Sequence, residues 1–255
     1  MLLTIGIGWG VQVAVPPLSI AADLQEIRQR GYLMVAVKDN LRPLGFRTDR
    51  GELGGLEIDL AHRLAESLFG RSDAVRFYPV RNQDRLTVLL DEEVDIVIAR
   101  MTMTESRSRT VDFSSPYYLD GTALITRDPT IGRWTDLQSR SVAVLRNSST
   151  IAVLRSRLPA SQLVEVMSYQ EAREQLEQGL VSAFAADSSL LAGWVQELPG
   201  YALLPTRLSG EPLAIAMPRG TRYGSLRQHI NRTIDQWREQ GWLQERVRYW
   251  GLPQD

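Results

Sequence analysis

Cysteine is absent from this chain, and histidine occurs only at His62 and His229, far apart in sequence. Thiolate zinc sites, Fe–S clusters, disulfide scaffolds and cysteine nucleophiles are excluded, and a two-histidine metal site would need both rings. What remains is charge and hydroxyl chemistry. It is densest in Thr102-Met103-Thr104-Glu105-Ser106-Arg107, followed by Val111-Asp112-Phe113-Ser114-Ser115-Pro116-Tyr117-Tyr118. An arginine among hydroxyls, just after an apolar run, suits a carboxylate, because the planar guanidinium offers a two-pronged donor where lysine offers a point charge. Asn147-Ser148-Ser149-Thr150 opens a second polar turn before a helical stretch, and helix N-terminal N–H groups attract anions. Lys38, Arg85 and Arg100 supply further cations, and Asp187 a carboxylate directly after an apolar run.

Elements of alternating type must hold these residues. Residues 33–37 read as a buried strand, and 55–65 as a helix with Leu56, Leu60, Leu64 and Leu68 along one stripe. A strand at 75–78, a short helix at 86–90 and a strand at 94–99 follow. The pattern then restarts: strand 141–145, helix 151–158, strand 163–166, helix 171–180, strand 183–186 and helix 188–194. Residues 213–217 read as a strand and 226–250 as amphipathic helix. Strand–helix alternation predicts α/β units with parallel strands, and the restart predicts two lobes. Extended crossovers near 117–123 and 210–213 would join them as a two-strand hinge.

Composition fits this reading. The 255 residues are 44% hydrophobic and 23% charged, an ordinary globular balance that excludes disorder and low-complexity architectures. Lys and Arg number 29 against 30 Asp and Glu, for a net charge of -1, so no basic footprint for nucleic acid or an anionic membrane is expected. Residues 1–22 carry no charge, are mostly apolar from Leu2 to Val15, and end in Ser19-Ile20-Ala21, a small-x-small pattern like a signal-peptidase site. The basic n-region is missing. An exported chain beginning near Ala22 is the expectation, an uncleaved anchor the alternative, though Pro16-Pro17 spoils a span of about 20 residues. Without cysteine a lipid-tethered form is not expected.

The Thr102–Arg107 string and the Asp112-Phe113-Ser114…Pro116-Tyr117-Tyr118 string resemble the signature of the periplasmic polar amino-acid-binding proteins of ABC importers. The resemblance extends to Pro43, to Gly55-Leu56-Glu57-Ile58-Asp59-Leu60-Ala61, to Asp136-Leu137 and to Trp250-Gly251. It implies a two-lobed clam-shell of type II, each lobe a mainly parallel sheet flanked by helices. Residues 1–22 would be a signal peptide, 23–118 and 212–255 the first lobe, and 119–211 the second.

The resemblance also implies roles. Arg107 and the Thr102 hydroxyl would take a ligand α-carboxylate, backbone N–H groups of Ser149 and Thr150 would complete that cradle, and Asp187 would take the ammonium. Each has a plainer alternative: Arg107 as a solvated charge, Asp187 as a cap on the following helix. Lys38 and Arg85 resemble the glutamate/aspartate-binding branch, where such cations hold a side-chain carboxylate. The alternatives are a rim lysine and a helix-surface arginine. Three cations against Asp187 favour a ligand with two carboxylates and one ammonium. Arg100 stands where relatives carry a small residue, so it is expected to narrow the pocket or add a fourth charge. Leu41 stands where they often stack an aromatic.

These residues predict a monomeric, periplasmic receptor for L-glutamate or L-aspartate that delivers its ligand to an ABC permease, with no cofactor, metal or catalytic residue and no nucleic-acid partner. A receptor for glutamine on the same fold, a sensor ectodomain and a dehydratase on the same scaffold are the alternatives.

Overall fold

Strand residues 33–37 show why the first lobe builds a core on each face of its sheet. Successive side chains of a strand point to opposite faces. Leu33, Val35 and Val37 enter one apolar cluster, with Leu56, Leu60, Leu64, Ile230 and Trp237. Ala36 enters another, with Val88, Leu89 and Met101. A strand apolar on both faces is what a sheet covered by helices on both sides requires. In the second lobe Val142 and Val144 face Leu154 and Leu158, while Ala143 faces Ala172, Leu176 and Phe184.

The computed structural model describes residues 22–254. The signal peptide expected over 1–22 thus lies, apart from Ala22, outside the described residues. In chain order the elements are α1 (Leu24–Arg30), β1 (Leu33–Val37), β2 (Asn40–Leu41), β3 (Gly45–Arg47), β4 (Leu53–Gly54), α2 (Leu56–Phe69), β5 (Val75–Pro79), α3 (Arg85–Leu90), β6 (Ile96–Ile98), α4 (Glu105–Ser108), β7 (Val111–Phe113) and β8 (Tyr118–Asp120). They continue with β9 (Thr122–Thr126), β10 (Ser141–Leu145), α5 (Thr150–Arg157), β11 (Gln162–Val166), α6 (Tyr169–Glu177), β12 (Ala183–Asp187), α7 (Ser188–Glu197), β13 (Ala202–Leu203), β14 (Glu211–Leu213), β15 (Ala216–Pro218), α8 (Gly224–Glu239) and α9 (Trp242–Tyr249).

One sheet runs β5-β1-β6-β15-β7 and the other β11-β10-β12-β9-β13. The β1–β5 and β1–β6 pairs are parallel, as are β10–β11 and β10–β12. β15 runs against both β6 and β7, and β9 against both β12 and β13. Each sheet is therefore mixed, not mainly parallel as expected: four strands run one way and one is reversed, so two of the four pairs are parallel and two antiparallel. Those reversed strands are the ones on which the chain enters the second lobe and re-enters the first. The crossings themselves, β8 and β14, pair with each other antiparallel, Tyr118 opposite Leu213 and Asp120 opposite Glu211. This is the two-lobed α/β architecture expected.

Most element ends shift by a few residues, and two expected elements are each divided in two. The strand expected at 213–217 is split into β14 and β15, because one chain segment serves two sheets. The helix expected at 226–250 breaks into α8 and α9 at Gly241, whose φ of +72° is left-handed and favours glycine.

Candidate ligand site

The cleft between the lobes holds a cavity of about 240 Å³. Lys38, Asn40, Leu41, Asn82 and Arg100 line it from the first lobe, and Tyr169, Asp187 and Leu190 from the second. Most of these positions follow the C-terminal ends of parallel strands, where ligand sites of open α/β sheets form. Lys38 follows β1, Asn82 lies beyond β5, Arg100 lies beyond β6, and Asp187 ends β12.

Lys38 is buried, at 5% exposure. Its Nζ donates to the Val80 carbonyl at 2.8 Å. Burial lowers its pKa, and the neighbouring Arg85 lowers it further. An ammonium held this way gains from a carboxylate in the cavity, since neither burial nor Arg85 favours its charge.

Arg100 sits in the left-handed region, φ +47°, unusual for a residue with a side chain. Its backbone is fixed on both sides: its N–H donates to Glu57 Oε1 at 2.6 Å, and its carbonyl accepts from Arg85 Nη1 at 2.6 Å. Its side chain reaches across the cleft. Nη2 pairs with Asp187 Oδ2, and Nε lies 3.5 Å from Asp120 Oδ2. Burial alone would lower the Arg100 pKa, but Asp187 and Asp120 outweigh it and hold the guanidinium charged. Burial lifts the Asp187 carboxyl above its usual range, with Arg100 opposing. The guanidinium in contact favours the ionised form of that carboxylate.

Asp187 occupies the N-cap position of α7 without a side-chain cap bond. The capping role falls to Asp120 on the crossing strand, which accepts from Ser189 N at 2.9 Å and Ser189 Oγ at 2.5 Å. The helix-cap alternative for Asp187 is thus set aside by geometry.

The remaining expected residues lie off the cavity wall. Arg85 is buried and donates to three backbone carbonyls, Asn82 at 2.9 Å, Ala99 at 2.9 Å and Arg100 at 2.6 Å. Its pKa falls to about 10, from burial and then from Arg107 and Arg100. Arg107 Nη1 donates to the Thr102 carbonyl at 2.8 Å. Burial lowers its pKa and Arg100 lowers it further, so Arg107 and Arg100 are close enough to feel each other. Thr102 is anchored by a bridge to Leu213 of β14, where the chain re-enters the first lobe. Ser149 occupies the N-cap position of α5 without a side-chain cap bond, and the Thr150 N–H is taken by Ser148 Oγ at 3.2 Å.

Sequence reasoning missed Glu57, Asp120, Asn82 and Tyr169 as site residues. Glu57 is fully buried at the first turn of α2 and accepts from Arg100 N and, at 2.6 Å, from Tyr117 Oη. Burial raises its pKa, and the two donors oppose that rise. Glu57→Ala would strand both donors in the interior, where an unsatisfied polar group costs about 1–3 kcal/mol. The expected loss is at least ~2 kcal/mol in urea unfolding; a change under about 0.5 kcal/mol, the range of ordinary surface substitutions, would contradict the assigned role. A signal existed: an acidic residue inside an otherwise apolar helix stripe. Tyr169 offered none. It is held by edge contacts with Phe184 and Trp194 at 6.2 and 6.3 Å, and supplies from the second lobe an aromatic wall that Leu41 cannot give from the first.

Comparisons with known proteins agree with this architecture. Residues 33–253 match the family model for bacterial extracellular solute-binding proteins, family 3. The chain is 32% identical over 202 residues to a glutamine-binding protein of Geobacillus stearothermophilus, covering 78% of this chain and 77% of that one. It is 28% identical over 192 residues to the glutamate-binding protein GluB of Corynebacterium efficiens, covering 72% and 65%. Among solved structures it resembles an ancestral amino acid-binding protein described as a precursor of cyclohexadienyl dehydratase, with a TM-score of 0.69, 26% identity and coverage of 91% of this chain and 100% of that one. A two-lobed α/β fold with a cation-rich cleft, matched to the family model over nearly its whole length, places this chain in the bacterial extracellular solute-binding proteins, family 3.

Proposed function

We propose that the protein is an extracytoplasmic receptor that closes on an acidic amino acid, L-glutamate or L-aspartate, and delivers it to the membrane subunits of an ABC importer. The observation that carries the reading is the buried Lys38 ammonium on the cavity wall, whose position favours a negatively charged ligand group. In this proposal Arg107, the Thr102 hydroxyl and the Ser149 N–H take the α-carboxylate, and the Thr150 N–H joins them by exchanging Ser148 Oγ for the ligand on closure. Lys38 takes the distal one, with Arg85 behind it. The moving bodies are 23–118 with 212–255, and 119–211, turning about β8 and β14.

The relatives support the class more than the ligand, since they include receptors named for glutamine and for glutamate. The reading is of a monomer that releases its ligand unchanged. Turnover of a prephenate-like substrate would move it toward the dehydratase line of its ancestral neighbour. Among the described residues no helix is long and apolar enough to cross a membrane.

Closure is testable directly. A ligand touching both lobes shifts the population toward the closed form. Small-angle scattering should give a smaller radius of gyration with saturating glutamate than without it. An unchanged radius would contradict the clam-shell mechanism.

A further inference from the structure

Among the described residues Asp187 is the one carboxylate on the wall of the cleft cavity, and Arg100 already holds it. We infer that Arg100 is a resident substitute for a ligand α-ammonium, and that the cleft takes a dicarboxylate of glutamate's length lacking the amine about as tightly as glutamate, within threefold, or more tightly. The inference rests on the reading of the cleft as a site for an acidic ligand and specifies which acid it prefers.

Three features make Arg100 a built-in group and not a rim side chain that a ligand would displace. Its backbone is held on one side by Glu57 and on the other by Arg85. Its left-handed φ aims the side chain from a loop where an ordinary residue is disfavoured. Its guanidinium lies between two carboxylates, Asp187 and Asp120, and its side chain is only 18% exposed. An ammonium arriving at Asp187 must either share that carboxylate with a guanidinium or displace it. Sharing places two like charges on one anion, and displacement leaves a buried cation short of a partner. A ligand without the amine meets neither penalty, and Lys38 on the wall remains available to one of its carboxylates.

The test is calorimetric titration of the full chain with glutamate, glutarate, 2-oxoglutarate and glutamine, in the native protein and in Arg100→Gly. Glycine suits the left-handed backbone at this position, so the variant removes the guanidinium without straining the loop. In the native protein glutarate or 2-oxoglutarate should bind within threefold of glutamate or more tightly. In Arg100→Gly the freed Asp187 needs a cation, and glutamate should gain roughly 30-fold or more over glutarate, the usual scale for one partner of a buried charge pair. If native glutamate binding exceeds that of both amine-free acids by more than threefold, the inference falls while the acidic-ligand reading stands. If glutamine binds and none of the three acids does, both fall. If Arg100→Gly leaves the glutamate-to-glutarate ratio unchanged, Arg100 does not stand in for the amine and the inference falls.

Discussion

Lys38→Met is expected to collapse the discrimination between glutamate and glutamine. The two ligands share a shape and differ by one charge. In the closed cleft the distal carboxylate leaves water, and its desolvation must be offset by a paired donor. With glutamine the buried Lys38 ammonium instead faces a neutral amide, and an uncompensated buried charge costs about 3–5 kcal/mol, roughly a hundredfold or more in affinity. Removing the ammonium removes that difference, so the glutamate preference should shrink by at least ~30-fold when both ligands are titrated into the variant. Lys38 is a cleaner probe than Arg85, whose guanidinium anchors three backbone carbonyls and whose loss would disturb the loop that carries Arg100. The same preference should fade with alkaline pH. Burial and then Arg85 set the Lys38 pKa below its ordinary 10.5, so the free protein loses this charge as pH rises toward that lowered value. A glutamate preference unchanged in Lys38→Met would mean that the lysine faces the Val80 carbonyl alone.

Arg107→Lys is expected to weaken every carboxylate ligand by about 10- to 150-fold, the range of a lost charge-assisted hydrogen bond of ~1.5–3 kcal/mol. The substitution keeps the charge and loses the planar fork. It also loses the bond from Nη1 that holds the Thr102 carbonyl. Thermal unfolding of the same variant separates a binding defect from a folding one, because this exchange of cations lies outside the apolar clusters of both lobes. Near-native affinity would show that the α-carboxylate is held by other groups.

Much of the fold was legible because period and polarity were unambiguous. The apolar runs at β1, β10 and β12 cannot be amphipathic surface strands, and the leucine stripe of α2 has no other face to bury. The breaks were harder to read. Gly241 interrupts a helical pattern whose apolar period continues across it, and β14 parts from β15 only because sheet membership changes there. Within the site, Asp187 was singled out by the family resemblance, on a carboxylate directly after a buried strand. Arg100 was visible as an anomaly in the signature, but its partners were not. Asp120 and Asp187 come within its reach only because the lobes face each other. Arg85 shows the opposite limit: three backbone carbonyls converge on it, and backbone carbonyls carry no mark in a sequence.

The most direct measurement is a calorimetric titration of the protein with each of the twenty amino acids. The account predicts that glutamate or aspartate binds at least ~100-fold more tightly than glutamine or asparagine, because only an acidic side chain pairs the buried Lys38. Tighter binding of glutamine, or of a basic amino acid, would contradict it. The protein would still be a solute-binding receptor of this family, but its cleft would recognise a different ligand.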